Sequence, residues 1–242
     1  MKNLKFLSIC LLFMSFNYLP PIEMNTRVKN AYSEKWNSLK SIISSKGINE
    51  SDFECYLRAF KMEGEFEVWV RDRKSTSTKF TLIKTYSICK SSGTLGPKRK
   101  EGDGQVPEGL YNISSYNPNS AYHLGMLVNY PNKSDIIRSD KNSPGGQIMV
   151  HGDCVTIGCI PLTDEYIKEV YILCLESSKA GKNVRIDIFP CHFNKENNKY
   201  LSKFPNKTQQ FWNELRPAYN KFNKEKKLYT FGVNTDGSYF ID

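Results

Sequence analysis

Between residues 27 and 45, apolar side chains recur at steps of three and four: Val28, Tyr32, Trp36, Leu39 and Ile43, with Gly47 following. That spacing predicts an amphipathic helix and its stop. From Tyr56 the period shortens to two. Phe66, Val68 and Val70 alternate with Glu65, Glu67 and Trp69, as in a strand, and Lys61–Glu65 with Gly64 supplies a hairpin turn. Phe80–Ile88 is another strand-like run. Residues 91–109 are broken by Gly93, Gly96-Pro97, Gly102, Gly104, Pro107 and Gly109, which predicts a long loop of a kind that is usually functional or mobile. Strand patterns return at Leu110–Tyr116, Tyr122–Tyr130 and Gln147–His151, with a second loop over 131–146.

Thr163 reads as a helix N-cap, with Asp164 and Glu165 in the first turn. Ile167, Val170, Tyr171 and Cys174 share one face of this helix, and Gly181 lies past its end. Val184, Ile186 and Ile188 alternate as a strand. Residues 207–226 form an amphipathic helix through Phe211, Trp212, Leu215, Tyr219 and Phe222, with a kink expected at Pro217. Leu228–Ile241 reads as a hairpin around Asn234-Thr235-Asp236-Gly237. The pattern is that of a mainly β protein with flanking helices, of the α+β class.

Composition narrows the class. The chain has 242 residues, 39% hydrophobic and 13% aromatic, enough to bury a sizeable core. Its formal charge is +9, but Lys and Arg are scattered and no nucleic-acid-binding motif is present, so no nucleic acid is expected as partner. Residues 1–20 read as an export signal or an uncleaved anchor: Lys2 and Lys5 precede an apolar run, Phe6 to Met14, that is short for a bilayer span. The expected location is the periplasm or cell envelope, with membrane contact only through that segment. Export permits disulfides, yet their pairing among Cys55, Cys89, Cys154, Cys174 and Cys191 does not follow from spacing. Cys55, Cys89 and Cys174 read as inert core thiols. For Cys154 a structural role is favoured, with a disulfide partner and a redox-sensitive neighbour as alternatives.

The chemistry concentrates in His151-Gly152-Asp153-Cys154-Val155-Thr156-Ile157-Gly158-Cys159, which joins a predicted strand to a predicted helix. A thiol near a helix N-terminus is favoured as thiolate. His151, eight residues upstream, can take the thiol proton and return it to a leaving group. Gly158 lets backbone N–H groups come close, as an oxyanion hole requires. Zinc is the rival use of His151, Cys154, Cys159 and Cys191-His192, but paired Cys-x-x-Cys units are missing, so neither metal nor cofactor is expected.

This stretch resembles the YkuD-type L,D-transpeptidases, in particular the murein L,D-transpeptidase branch with a His-Gly…Gly-Cys pattern. Further similarity is carried by Ser92-Gly93, Leu95-Gly96-Pro97-Lys98, Glu101-Gly102-Asp103, Val106-Pro107-Glu108-Gly109-Leu110-Tyr111, Asn117-Pro118-Asn119-Ser120, Tyr122-His123-Leu124, Asn129-Tyr130-Pro131-Asn132 with Asp135, and Gly158-Cys159-Ile160-Pro161. The resemblance implies a YkuD-like β-sandwich catalytic domain over 55–192, preceded by a helical segment at 21–54 and followed by a helix and hairpin at 193–242. It implies Cys159 as nucleophile, His151 as general base and acid, Gly152 as the carbonyl that orients the imidazole, and Gly158 with Cys159 as oxyanion donors. Lys98, Glu108 and Asp135 are candidate substrate contacts, or else they pin loops; His123 is a hydrogen-bonded structural histidine by default, with a substrate contact as the alternative.

The implied reaction is acyl transfer on peptidoglycan stem peptides through a thioester, resolved by an amine or by water. Members of the branch also detach peptidoglycan-anchored lipoproteins, so such a lipoprotein is a further candidate partner. The commoner family pattern has Ser/Thr-His-Gly-Cys. Here Thr156-Ile157-Gly158-Cys159 lacks that histidine, which leaves a transpeptidase and a murein peptidase both open. A non-catalytic envelope-binding module is a third reading, opposed by the intact His151 and Cys159.

Overall fold

The computed structural model describes residues 24–242; the segment read as an export signal or anchor lies outside the described residues. In chain order the elements are α1 (Thr26–Ser45), β1 (Phe53–Phe60), β2 (Glu65–Asp72), β3 (Thr81–Ser87), β4 (Gly109–Asn117), β5 (Gly125–Val128), α2 (Lys133–Arg138), β6 (Met149–His151), β7 (Ile160–Pro161), α3 (Asp164–Ser178), β8 (Arg185–Phe189), α4 (Lys195–Leu201), α5 (Asn206–Glu225), β9 (Phe231–Val233) and β10 (Tyr239–Ile241). The expected α+β fold is present.

Eight strands form one mixed sheet in the order β3-β2-β1-β8-β4-β5-β6-β7. Only β1–β8 and β6–β7 run parallel. The period-2 pattern explains how the sheet is covered. In β1, Cys55, Leu57 and Ala59 face a core shared with α1 and α3, through Leu39, Ile43, Val170 and Cys174. The alternate residues Tyr56 and Phe60 face a second core built with Phe211, Trp212, Leu215 and Phe222 of α5. The same division runs through β2, with Phe66, Val68 and Val70 on one side and Trp69 on the other.

Both faces of β2 are therefore covered. Glu67 is buried too, and its charge is met by Arg58, with Nε donating at 2.7 Å. The Trp69 indole N–H donates to the same carboxylate at 2.7 Å. A fully buried aromatic of the size of Trp212 stabilises by about 3–5 kcal/mol relative to alanine, so α5 is an integral layer of this fold.

Other differences are local. The loop expected over 131–146 contains α2, started by a capping box between Asn132 and Asp135. The strand expected over Tyr122–Tyr130 contracts to Gly125–Val128, because residues 118–124 turn. Helix α4 has too little periodicity to be read from sequence, and α5 continues through Pro217. Thr163 caps α3 as expected, its hydroxyl accepting from the Tyr166 N–H.

Candidate active site

His151 ends β6, and Cys159 stands immediately before β7, its parallel neighbour. The register pairs His151 with Pro161 and Val150 with Ile160. One step back sets Cys159 beside Met149, on the same face of the sheet as His151. The thiol confirms that placement: the Met149 N–H donates to Sγ at 3.4 Å, and Sγ donates to the Gln147 carbonyl at 3.7 Å.

The imidazole is fully buried. Its Nδ1 lies 2.5 Å from the Gly152 carbonyl oxygen. A carbonyl oxygen only accepts, so Nδ1 carries the hydrogen. Burial holds the ring below the usual imidazole range, against smaller opposing effects of the Gly152 carbonyl and Asp153. The ring is therefore neutral at pH 7, and Nε2 holds a free lone pair. That nitrogen is buried and makes no hydrogen bond. The Tyr122 ring leans on the imidazole, with centroids 4.8 Å apart.

The electrostatics of the thiol differ from expectation. Cys159 is not at a helix N-terminus, since β7 and the Thr163 cap intervene before α3. Burial pushes its thiol up; the Met149 N–H and the Lys98 charge offset this only in part. The resting pair is a neutral thiol and a neutral imidazole.

Gly152 sits against α3 and the turn before β5. An added Cβ would lie 2.6 Å from Asp164 Oδ1, 2.9 Å from His123 Cβ and 3.0 Å from Ile167 Cγ2. Gly158 has φ +136°, and a Cβ there would lie 3.0 Å from the Gln105 carbonyl oxygen. Its N–H is occupied: it donates to Thr156 Oγ1 at 3.1 Å, and that hydroxyl donates to the Cys159 carbonyl at 2.8 Å. To reach an oxyanion, the Gly158 N–H must first leave Thr156.

The remaining candidates make contacts of their own within the protein. Lys98 is buried, its Nζ 2.6 Å from Asp103 and 2.9 Å from the Lys100 carbonyl. Glu108 is fully buried and accepts from Gly96 N at 2.7 Å and Trp212 Nε1 at 2.6 Å, with Lys61 Nζ at 3.0 Å. Asp135 is buried and accepts from Tyr111 Oη at 2.9 Å; burial raises it to about 6, against the pull of Tyr111. These contacts tie all three side chains to the loops around them. His123 lies in the turn before β5 with φ 67°, not on a strand, and its Nδ1 is 3.9 Å from Asp164.

Several residues at the site were not marked as site residues by the sequence. Lys61, Ile88, Lys90, Ser91 and Val106 line a small pocket with Cys159, and Lys61 had been read only as part of a hairpin turn. Asp164 holds the Asp153 N–H at 2.8 Å and so fastens the loop to α3.

The cysteines need one correction. Cys89, read as an inert core thiol, is bonded to Cys154. Cys55, Cys174 and Cys191 are free and buried. With Cys154 bonded, it cannot serve as a metal ligand. Among the described residues one other group has ligand-like spacing, Glu65, Glu67 and His192, but Arg58 already lies 2.6 Å from Glu67.

The YkuD family description, an L,D-transpeptidase catalytic domain, matches residues 65–186. YafK of Escherichia coli (strain K12), which carries the L,D-transpeptidase name provisionally, is 32% identical over 189 residues, 77% of this chain and 73% of that protein. The namesake from Escherichia coli O157:H7 matches with the same figures. Among solved structures, the helical cell shape determining protein Pgp2 from Campylobacter jejuni aligns with a TM-score of 0.45 at 18% identity, covering 80% of each chain. Bd1075 of Bdellovibrio bacteriovorus aligns at 0.40 and 20% identity, covering 74% of this chain and 62% of its own.

Proposed function

This chain belongs to the YkuD family of L,D-transpeptidases, and on that premise we propose that it is an exported cysteine acyltransferase acting on peptidoglycan stem peptides. Cys159 is the nucleophile and His151 its base. The observation that carries this reading is the buried neutral imidazole, whose Nδ1–H is fixed on the Gly152 carbonyl while Nε2 is left without a partner.

In the first half-reaction Sγ attacks an L-centre carbonyl next to a D-residue. The S–C bond forms as the thiol proton passes to Nε2. Collapse of the tetrahedral adduct breaks the C–N bond, and Nε2 returns the proton to the departing amine. The resting pair is neutral, so charge separates only in this step, the imidazolium forming together with the oxyanion. The Cys159 N–H, and the Gly158 N–H once turned from Thr156, receive the oxyanion. In the second half-reaction Nε2 of His151 takes a proton from the acceptor, an amine for cross-linking or attachment and water for hydrolysis, as its N or O attacks the thioester carbonyl; collapse breaks the C–S bond, and Nε2 returns the proton to Sγ.

The test is covalent labelling. Purified protein should form a carbapenem adduct located at Cys159 by mass spectrometry. Cys159→Ala should form none, and His151→Ala should react about 10²–10⁴-fold more slowly. An adduct on another residue, with Cys159 unmodified, overturns the reading. Incubation with muropeptides, with and without a D-amino-acid acceptor, then separates transfer from hydrolysis. No described helix is long and apolar enough to cross a membrane; export itself is tested by fractionating cells that express the tagged full chain.

A further inference from the structure

The loop from Gly152 to Cys159 leaves the sheet at β6 and re-enters it at β7. Neither of its two branched apolar side chains is buried. Val155 is 40% exposed and Ile157 is 89% exposed. Its start is hydrogen-bonded to α3, and its far end is closed on itself. Asp164 holds the Asp153 N–H, and Thr156 bonds to Gly158 and Cys159. Between these ends the tie to the rest of the fold is the disulfide from Cys154 to Cys89, 65 residues away in sequence.

Cys89 is placed to brace both sides of the nucleophile. Its sulfur holds Cys154, five positions before Cys159. Its backbone N–H donates to the Pro161 carbonyl at 3.1 Å, two positions after Cys159. Its neighbours Ile88, Lys90 and Ser91 form the wall of the pocket that Cys159 lines. One residue thus joins the pocket wall, the loop and the strand that carries the thiol onward.

We propose that the Cys89–Cys154 disulfide is a positioning element for acylation: it holds the 152–159 loop on the 88–91 wall, so that Cys159 and its flanking N–H groups meet the acyl donor together. The inference rests on Cys159 being the nucleophile. Neither Cys89 nor Cys154 touches the reacting atoms.

The experiment compares two rates at Cys159, each followed by intact mass: acylation by a carbapenem, which needs the thiol, base and oxyanion donors aligned, and alkylation by iodoacetamide, which needs only an accessible thiol. In the double variant Cys89→Ser/Cys154→Ser, acylation should fall about tenfold or more, the loss expected from sub-ångström misplacement of reacting groups. Alkylation should be unchanged or faster. Partial unfolding would instead change the two rates in proportion to the folded fraction measured by circular dichroism. If the double variant fails to fold, wild type reduced under native conditions with a phosphine is read by the same pair of rates. Acylation within twofold of wild type in the disulfide-free protein overturns the inference. So does a parallel fall of both rates that matches the folded fraction. Oxidised wild type that takes no carbapenem at Cys159 refutes the nucleophile itself, a distinct result.

Discussion

Gly152→Ala places one methyl group where three neighbours converge, and none of them can give freely. Asp164 Oδ1, 2.6 Å from the new Cβ, is the acceptor of the Asp153 N–H, so moving it breaks a bond that fastens the loop. His123 Cβ, at 2.9 Å, belongs to a turn whose backbone carbonyl is gripped by Arg27. Ile167, at 3.0 Å, is fully buried in α3. Overpacking of this kind costs about 1–3 kcal/mol. Relief has to come from the peptide at 152, and with it from the carbonyl that holds His151 Nδ1. If 1 Å of misplacement costs ~10²-fold in rate, half an ångström costs about tenfold. The expected result is a lower urea midpoint with an unchanged slope and a carbapenem acylation rate about tenfold down, with iodoacetamide alkylation near wild type. A destabilised variant that acylates at the wild-type rate would refute the link between this carbonyl and the base. An unchanged midpoint would refute the packing argument itself.

Three further outcomes follow from the structure. Because burial pushes the Cys159 thiol up, its alkylation rate should keep climbing with pH beyond the range where a free thiol, with a pKa of about 8.5, levels off. Because burial holds His151 down, the base should stay deprotonated below the ordinary imidazole range near 6.5. Its contribution to stability, fully present above that range, is then lost as pH falls toward the folded-state value, which a urea titration at several pH values reads. Glu108→Ala should cost about 3–5 kcal/mol in urea unfolding, because it strands the buried Lys61 ammonium and two donors, whereas Glu108→Gln, which keeps an acceptor for Trp212 and Gly96, should cost less.

Much of this protein was legible in its residue order. The periods of three to four and of two marked α1, α3, α5 and most strands, because each of these elements buries a face set by its own repeat. The nonapeptide from His151 to Cys159 was also visible, since its chemistry is local and its residues are close in sequence. What tertiary structure decided arises between distant segments. The alternation in β2 does not reveal that Glu67 and Trp69 are covered as well, because the layer that covers them, α5, begins about 140 positions later. The loop 131–146 hid α2, because a six-residue helix depends on its Asn132–Asp135 cap more than on periodicity. Cys89 read as an inert thiol because pairing depends on a Cα–Cα approach, here 5.6 Å, that spacing does not contain. The direction of the thiol shift reversed for the same reason: the sequence placed a helix after Cys159, but burial around Sγ, which only the assembled sheet supplies, outweighs a helix that starts too far away.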